Sequence, residues 1–455
     1  MHAPPDLIVR GLALDSRKVE EGFLFFALPG EKEDGGEFIA EAKARGAACA
    51  VCEHPPETEI PYILVPDAHK ALALCAAVWY GTPAGKLTVV GVTGTNGKTT
   101  TTYLIKQLLE RTKGAKVGLI GTNQNLISDK TIPTDRTTPD ALTVQRLLAQ
   151  MVDAGCTYAV MEVSSHALMQ SRVEGIRFRV GVFTNLTQDH LDFHKTMDNY
   201  AKAKAILFHM VSAKGQTKKG KSAWVNMDDP YAHVMEEGVD DRNICALHTY
   251  SMIHPEADLY AHDIHFTGKS SSFKVTYEGK DYDFETRLAG RFNVYNTLGA
   301  VGACLSEGVP METIVEGMRD FKSVPGRFEL IDEGQPFTVV VDYAHTPDGL
   351  EKILTTAEEI TKGRIIVVFG CGGDRDRMKR PIMGRIAARN ADIALVTSDN
   401  PRTEDPASIV KEVAAGVEEV KKEKPSLSYE VIVDRRSAIC RAIELAKPGD
   451  IVLIA

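Results

Sequence analysis

The residues best suited to chemistry lie between positions 86 and 100. Glycines at 91, 94 and 97 are followed by Lys98, Thr99 and Thr100, and then by apolar residues at helical spacing, Tyr103, Leu104, Leu108 and Leu109. Glycines in such a turn let backbone N–H groups approach an anion, and the helix N-terminus adds its positive end. Lys98 would neutralise the terminal phosphates of a nucleotide, and the Thr99 hydroxyl would ligate Mg2+. The generic spacing wants a glycine where the chain has Val92, so the pattern holds from Gly94 onward, through Thr95, Asn96, Gly97, Lys98, Thr99 and Thr100. Such a loop also needs an acidic metal ligand. Glu162, at the end of the apolar run Tyr158–Met161, is placed as that carboxylate. His190 ends a second polar segment, Asn185–His190, after the apolar run 180–184; taken alone it reads first as a capped loop residue, with a metal ligand as the alternative.

These residues need a scaffold, and the chain supplies strand–helix alternation throughout. The run 87–90 predicts a buried strand before the glycine turn, and polar clusters past the carboxyl ends of parallel strands are where doubly wound sheets bind ligands. The expected fold is α/β in three domains: residues 1–85, a central phosphate-loop domain at 86–322 with a parallel sheet, and a Rossmann-like parallel sheet at 323–455. The stretch Asp258–Leu288 alternates like an antiparallel excursion, 212–222 reads as a solvated basic loop, and strands are expected at Thr338–Val341, Ile365–Phe369, Ile393–Val396, Val431–Val433 and Ile451–Ile454.

With 455 residues and a net charge of −9, the composition argues against general nucleic-acid or anionic-membrane binding. No run approaches a membrane span, and no basic and apolar leader opens the chain, so a cytoplasmic protein without membrane insertion is expected. Cys49 and Cys52 share one apolar stretch and read as core thiols, consistent with a reducing compartment.

The segments Gly94–Thr100, Glu162-Val-Ser-Ser-His166, Asn185–His190, Asn293-x-x-Asn296, Gly326-Arg327-x-Glu329 and Asp342-Tyr-Ala-His-Thr-Pro347 occur in one order over nearly the whole chain. Together they resemble the Mur ligase family, and within it the branch that adds the third peptide residue to a uridine-diphosphate-muramyl dipeptide. The resemblance implies an ATP-dependent amide ligase of peptidoglycan precursor synthesis, working through an acyl phosphate with Mg2+ and acting as a monomer on small-molecule substrates. It implies that Asn293 and Asn296 lie on the adenine side, and that Arg327, Asp342 and His345 meet the nucleotide when domains close. It gives His190 a second Mg2+ and makes Lys204, four residues after Tyr200, a carbamylated lysine near the metal, with Lys202 the confusable neighbour. Ser16 would touch the uridine diphosphate within Asp15-Ser-Arg17; a related Asp34-Gly-Gly segment has Gly36 where the family usually has His. Thr137, Thr138, Ser164, Gln170 and Arg172 would hold the muramyl dipeptide.

For the incoming amine, the resemblance singles out Asp399, Asn400, Pro401 and Arg402, the tetrapeptide that goes with meso-diaminopimelate. The physical reason is that this amino acid ends in a second carboxylate, which Arg402 can pair with bidentately and Arg375 can reinforce. Lysine, with a bare ammonium there, would be repelled. Family members normally continue past the position of Ala455 with Gly-Lys-Gly-His-Glu and a helix, so a shortened chain or an incomplete amino-acid site is expected. The same chemistry with lysine, a folylpolyglutamate synthase-like ligase, and a nucleotide-gated binding protein remain as neighbouring readings.

Overall fold

The computed structural model describes the chain except for residues 1–3, 5, 31–32, 112–113, 214–219, 268–269 and 322–323. The expected boundary at 322/323, and most of the expected basic loop, therefore lie outside the described residues. Three sheets organise the rest. A four-stranded parallel sheet is built from Gly11–Ala13, Phe23–Phe26, Cys49–Cys52 and Tyr62–Leu64. The central sheet has eleven strands, and its parallel core runs in the order Cys245–Ser251, Lys221–Asn226, Phe178–Phe183, Thr88–Thr93, Tyr158–Glu162, Val117–Ile120. Leu259–Phe266 adds to Cys245–Ser251 in parallel. Antiparallel pairing then extends the sheet through the expected excursion (Ser271–Tyr277, Lys280–Thr286) and, at the other end, through Asn125–Ile127 and Lys130–Ile132, so the sheet as a whole is mixed. The last sheet has six strands, parallel apart from its first, Glu329–Ile331.

The central strands are buried on both faces, which is why they read as unbroken apolar runs. Val89 packs on one face with Leu147, Leu148, Leu207 and Phe208, from helices Ala141–Asp153 and Met197–Ser212. Val90 and Val92 pack on the other with Leu104, Leu108, Leu298 and Val301, from helices Lys98–Arg111 and Arg291–Ser306. Side chains fix the helix starts: Asp140 accepts from the Thr143 amide and Thr196 from the Asn199 amide.

Two expectations are corrected. Lys221 and Ser222 belong to a buried strand rather than a solvated loop, and Lys221 Nζ donates to the Val211 carbonyl at 2.8 Å. The strand expected at 431–433 lies at Ser428–Val431, on the edge of its sheet. Cys49 and Cys52 are buried free thiols as expected. Among the described residues, no helix is long and apolar enough to cross a membrane.

The first sheet's helix Ala68–Trp79 packs on Ala141–Asp153, with Leu72, Ala73 and Ala141 in one apolar cluster. The last domain meets the central one through Asn123 Nδ2, which donates to the Pro325 carbonyl at 2.7 Å, and through the rings of Phe292 and Phe328, 5.9 Å apart.

Candidate active site

The phosphate loop turns between strand Thr88–Thr93 and helix Lys98–Arg111. Gly94 (φ +151°) and Gly97 (φ +85°) occupy conformations and contacts that a side chain would not tolerate: a Cβ would lie 1.9 Å from Thr184 Oγ1 at the first and 2.1 Å from Asn296 Oδ1 at the second. The segment Asn185–His190 is laced to this loop. The Thr95 amide donates to the Asn185 carbonyl at 2.8 Å, the Asn96 amide to Asn185 Oδ1 at 3.0 Å, and the Thr187 amide to Thr95 Oγ1 at 3.0 Å.

Two ammonium groups converge on one carbonyl. Lys98 Nζ donates to the Gly94 and Thr95 carbonyls at 2.9 and 2.8 Å, and Lys204 Nζ donates to the same Gly94 carbonyl at 2.8 Å while lying 4.3 Å over the Tyr200 ring. Lys204 is 1% exposed, whereas Lys202 faces solvent, which separates the two candidates. Burial lowers the pKa of Lys98, against the pull of Glu162 and Asp189. Burial, then the charge of Lys98, holds Lys204 well below the ordinary amine value.

Glu162 is 1% exposed and accepts from the Thr122 amide at 2.8 Å, with the Thr122 hydroxyl 2.9 Å from its other oxygen and 3.0 Å from Thr137 Oγ1. Thr138 Oγ1 donates to the Glu162 carbonyl at 2.8 Å and accepts from the Ser164 amide at 3.1 Å. Arg172 donates to the Thr138 carbonyl at 2.9 Å and to Gln170 Oε1, and burial brings its pKa down to about 10. Thr137, Thr138, Ser164, Gln170 and Arg172 thus form one patch around the carboxylate that faces the phosphate loop.

His190 has left-handed backbone (φ +52°), its Nε2 lies 3.3 Å from Asp189 Oδ2, and burial lowers its pKa. Its ring meets His166 edge-on at 4.8 Å. Burial brings both His166 and His194 to about 4, so these rings are neutral near pH 7.

Asn293 and Asn296 are not helix caps. Gly290 holds the cap position of Arg291–Ser306, Asn293 Nδ2 donates to the Ala289 carbonyl at 2.8 Å, and Asn296 Nδ2 donates to Asn293 Oδ1 at 3.0 Å, with Asn296 against Gly97. From the last domain, Arg327 donates to Thr99 Oγ1 at 3.2 Å and stacks on Tyr343 at 4.8 Å. Asp342 accepts from the Phe328 amide at 2.7 Å, and burial raises its pKa. His345 Nδ1 bonds the Tyr343 carbonyl at 2.9 Å, while its own carbonyl accepts from Lys379 Nζ at 2.8 Å.

Ser16 lies elsewhere. It lines a cavity of about 470 Å3 in the first domain with Asp15, Arg17, Gly35, Phe38 and Glu41, and its hydroxyl donates to Glu41 Oε2 at 2.7 Å. Arg375 and Asp399–Arg402 sit on exposed loops at the carboxyl ends of adjacent strands of the last sheet, where Arg402 Nη1 donates to the Gly373 carbonyl at 2.6 Å.

Several site residues escape a reading by motif. Asp348 Oδ2 accepts from Asn96 Nδ2 at 2.8 Å, Thr187 Oγ1 at 3.0 Å and Lys352 Nζ at 2.9 Å, so a last-domain carboxylate holds the phosphate loop directly. Asp229 accepts from the Leu186 amide at 2.7 Å, and Asn226 Nδ2 donates to the Thr184 carbonyl at 2.8 Å. The signal for these two was present: polar residues just past an apolar strand, the rule that flagged Glu162.

This architecture has a recognised family. Residues 8–80 match the model described as "Mur ligase family, catalytic domain", 92–304 "Mur ligase middle domain", and 326–455 "Mur ligase, glutamate ligase domain". The chain belongs to the Mur ligase family and is a ligase. It is 46% identical over 452 residues, 99% of this chain and 90% of the relative, to the UDP-N-acetylmuramoyl-L-alanyl-D-glutamate–2,6-diaminopimelate ligase of Geobacillus kaustophilus. The protein of the same name from Gloeobacter violaceus is 47% identical over 99% of this chain and 89% of its own length. A solved structure of an enzyme with that name superposes with a TM-score of 0.71 at 33% identity, covering 98% of this chain and 89% of the other.

Proposed function

We propose that the chain joins meso-2,6-diaminopimelate to the D-glutamate of UDP-N-acetylmuramoyl-L-alanyl-D-glutamate at the expense of ATP, in peptidoglycan precursor synthesis. The observation that carries the reading is the pair of buried ammonium groups, Lys98 and Lys204, converging on the Gly94 carbonyl beside Glu162. A carboxylate becomes electrophilic at neutral pH once it takes the γ-phosphoryl of ATP; the amine then attacks the acyl phosphate through a tetrahedral intermediate. Catalysis of this kind is mainly positioning and charge neutralisation.

In this reading residues 1–85 hold the uridine end around Ser16, 86–322 the nucleotide, and 323–455 the incoming amino acid. Lys98 neutralises the β- and γ-phosphates, the amides of Gly94–Thr100 cradle them, and Asn293 and Asn296 border the adenine. Arg327, Asp342 and His345 complete the nucleotide site from the last domain. Thr137, Thr138, Ser164, Gln170 and Arg172 orient the dipeptide carboxylates. Asp399, Asn400, Pro401, Arg402 and Arg375 select the amine.

The oxygen donors fit Mg2+. Thr99 and Glu162 offer hard oxygen ligands beside the phosphate loop. Thr99 and Glu162 would hold one such ion and His190 a second; when bound they supply neutralisation of phosphoryl charge.

The neutral form of an amine is the one that adds CO2, and burial shifts Lys204 toward that form. The neutral Lys204 amine would form an N–C bond to CO2 and release one proton, leaving a carbamate anion beside the phosphate loop. Monomeric action in the cytoplasm is part of the same reading.

Phosphate release by the purified protein tests it. Release should require ATP, diaminopimelate and the uridine-linked dipeptide together. Release without the dipeptide, or equal turnover with lysine, overturns the assignment.

A further inference from the structure

The structure assigns Arg380 a positioning role: through Glu404, it sets the loop that carries Arg402 against the loop that carries Arg375. The inference rests on the reading above, in which these loops take the amino acid, and names what fixes their spacing. Arg380, on helix Lys379–Asn390, is 0% exposed, yet it belongs to neither the nucleotide site nor an apolar core in any ordinary sense. Its Nη2 donates to Glu404 Oε1 at 2.7 Å and its Nη1 to Glu404 Oε2 at 3.0 Å, a two-pronged fork; Nη1 also reaches Glu412 Oε2 at 2.9 Å. Such a fork fixes both distance and plane of the carboxylate.

Glu404 stands two residues after Arg402, and the oxygen gripped by Arg380 also accepts from the Asp374 amide at 2.6 Å. The Asp374 carboxylate in turn accepts from the Thr403 amide at 3.1 Å and the Thr403 hydroxyl at 2.7 Å. The Gly373 amide donates to the Asn400 carbonyl at 2.9 Å, and Arg402 closes the lacing on the Gly373 carbonyl. Asp374 and Arg402 both hold left-handed backbone, at φ +52° and +50°. Side chains of their kind enter that region only where surrounding contacts hold them. The Arg380 fork also brings the Glu404 pKa down to about 2, so the carboxylate stays charged throughout the working range.

Glu412, on helix Pro406–Glu423, shares the same guanidinium and also pairs with Arg377 in the loop that carries Arg375, so it belongs to the same lacing. Glu419 on that helix accepts from Arg385 of helix Lys379–Asn390 at 2.8 Å, away from both loops, and serves as the control. In the purified full chain, Glu404→Gln should raise KM for diaminopimelate by about tenfold, the loss expected for a charge-assisted contact. KM for ATP and for the muramyl dipeptide should stay within about twofold, and the preference for diaminopimelate over lysine should fall. Glu419→Gln should leave all three KM values in place. The exposed Asp374→Asn, which loosens the lacing without touching the buried fork, should reproduce a smaller rise in KM for diaminopimelate. Arg402→Ala separates the two levels of the claim. If Arg402→Ala raises that KM while Glu404→Gln and Asp374→Asn do not, the positioning role is overturned and the site reading stands. If Arg402→Ala leaves KM for diaminopimelate unchanged, both are overturned.

Discussion

The phosphate loop and the last domain each bury positive charge, and they do so in opposite ways. Lys98 and Lys204 sit on backbone carbonyls; among the described residues neither forms an ion pair, and burial lowers both pKa values. Arg380 is also buried but lies between two carboxylates, which raise its pKa despite burial. A buried cation without a counter-charge is costly unless a ligand or a modification supplies the negative charge. The contrast separates a cradle built for a polyanion from a scaffold whose charge is already balanced.

The largest effects should follow from changing the uncompensated side. Lys98→Ala should lower kcat by about 10²–10³-fold, the cost of one preorganised charge contact, in ATP-dependent phosphate release. Lys204→Ala should lose activity comparably and regain part of it on addition of short carboxylic acids, which replace the carbamate. A fully active Lys204→Arg, or absence of any rescue, would make Lys204 a structural cation like Arg380 and erase the contrast.

Arg402 should behave differently because its target is only the amino acid. Arg402→Ala should reduce kcat/KM for diaminopimelate by about 10–100-fold, as for one charge-assisted pair, with KM for ATP little changed. Equal damage to both substrates would mean that the two regions are one electrostatic unit.

What the sequence revealed was mostly local. Gly94–Thr100 is legible because strand, turn and helix are contiguous, and Glu162 because an apolar strand precedes it. Separating Lys204 from Lys202 took the family resemblance first and helix phase second. Asp348 directly follows the Asp342–Pro347 segment, so its loop was legible; its partner was not, because it meets Asn96 across 252 positions. The Arg380 fork is hidden for the same reason, since a charged residue in a helix reads as solvated until packing buries it. The edge strand Ser428–Val431 was placed too late because Val431 and Val433 look like core yet are 48% and 38% exposed; an edge strand needs no continuous apolar run. The short strands Asn125–Ile127 and Glu329–Ile331 are too brief to show a period.

A smaller effect is expected where the two regions touch. Asp348→Ala removes the acceptor for Asn96, Thr187 and Lys352 together. Loss of about 1 kcal/mol of net hydrogen bonding should raise KM for ATP about fivefold. Asp348→Asn, which retains an acceptor oxygen, should recover much of it. If neither variant moves KM for ATP, the last domain does not steady the loop.

Acid should separate the regions by the least. His194, buried and bonded through Nε2 to Ser165 Oγ at 2.8 Å, falls from its ordinary 6.5 to about 4, mainly by burial and then by the charge of Lys204. Between those values the unfolded chain binds the proton and the folded chain does not, so stability falls as pH drops from 6.5 toward 4. Glu404 is lowered from 4.5 to about 2 by Arg380, so the unfolded chain again binds more protons, but only from pH 4.5 downward. Both contributions vanish in acid, in windows about two pH units apart. Amide exchange at pH 5 should therefore quicken first around residues 190–204, with the loops at 370–377 and 399–406 still protected. His194→Gln should remove a loss on the order of 1 kcal/mol between pH 7 and 5, after discounting for partial solvation. Earlier exchange in the last domain would reverse the order and show that Arg380 and its carboxylates are the weaker of the two arrangements.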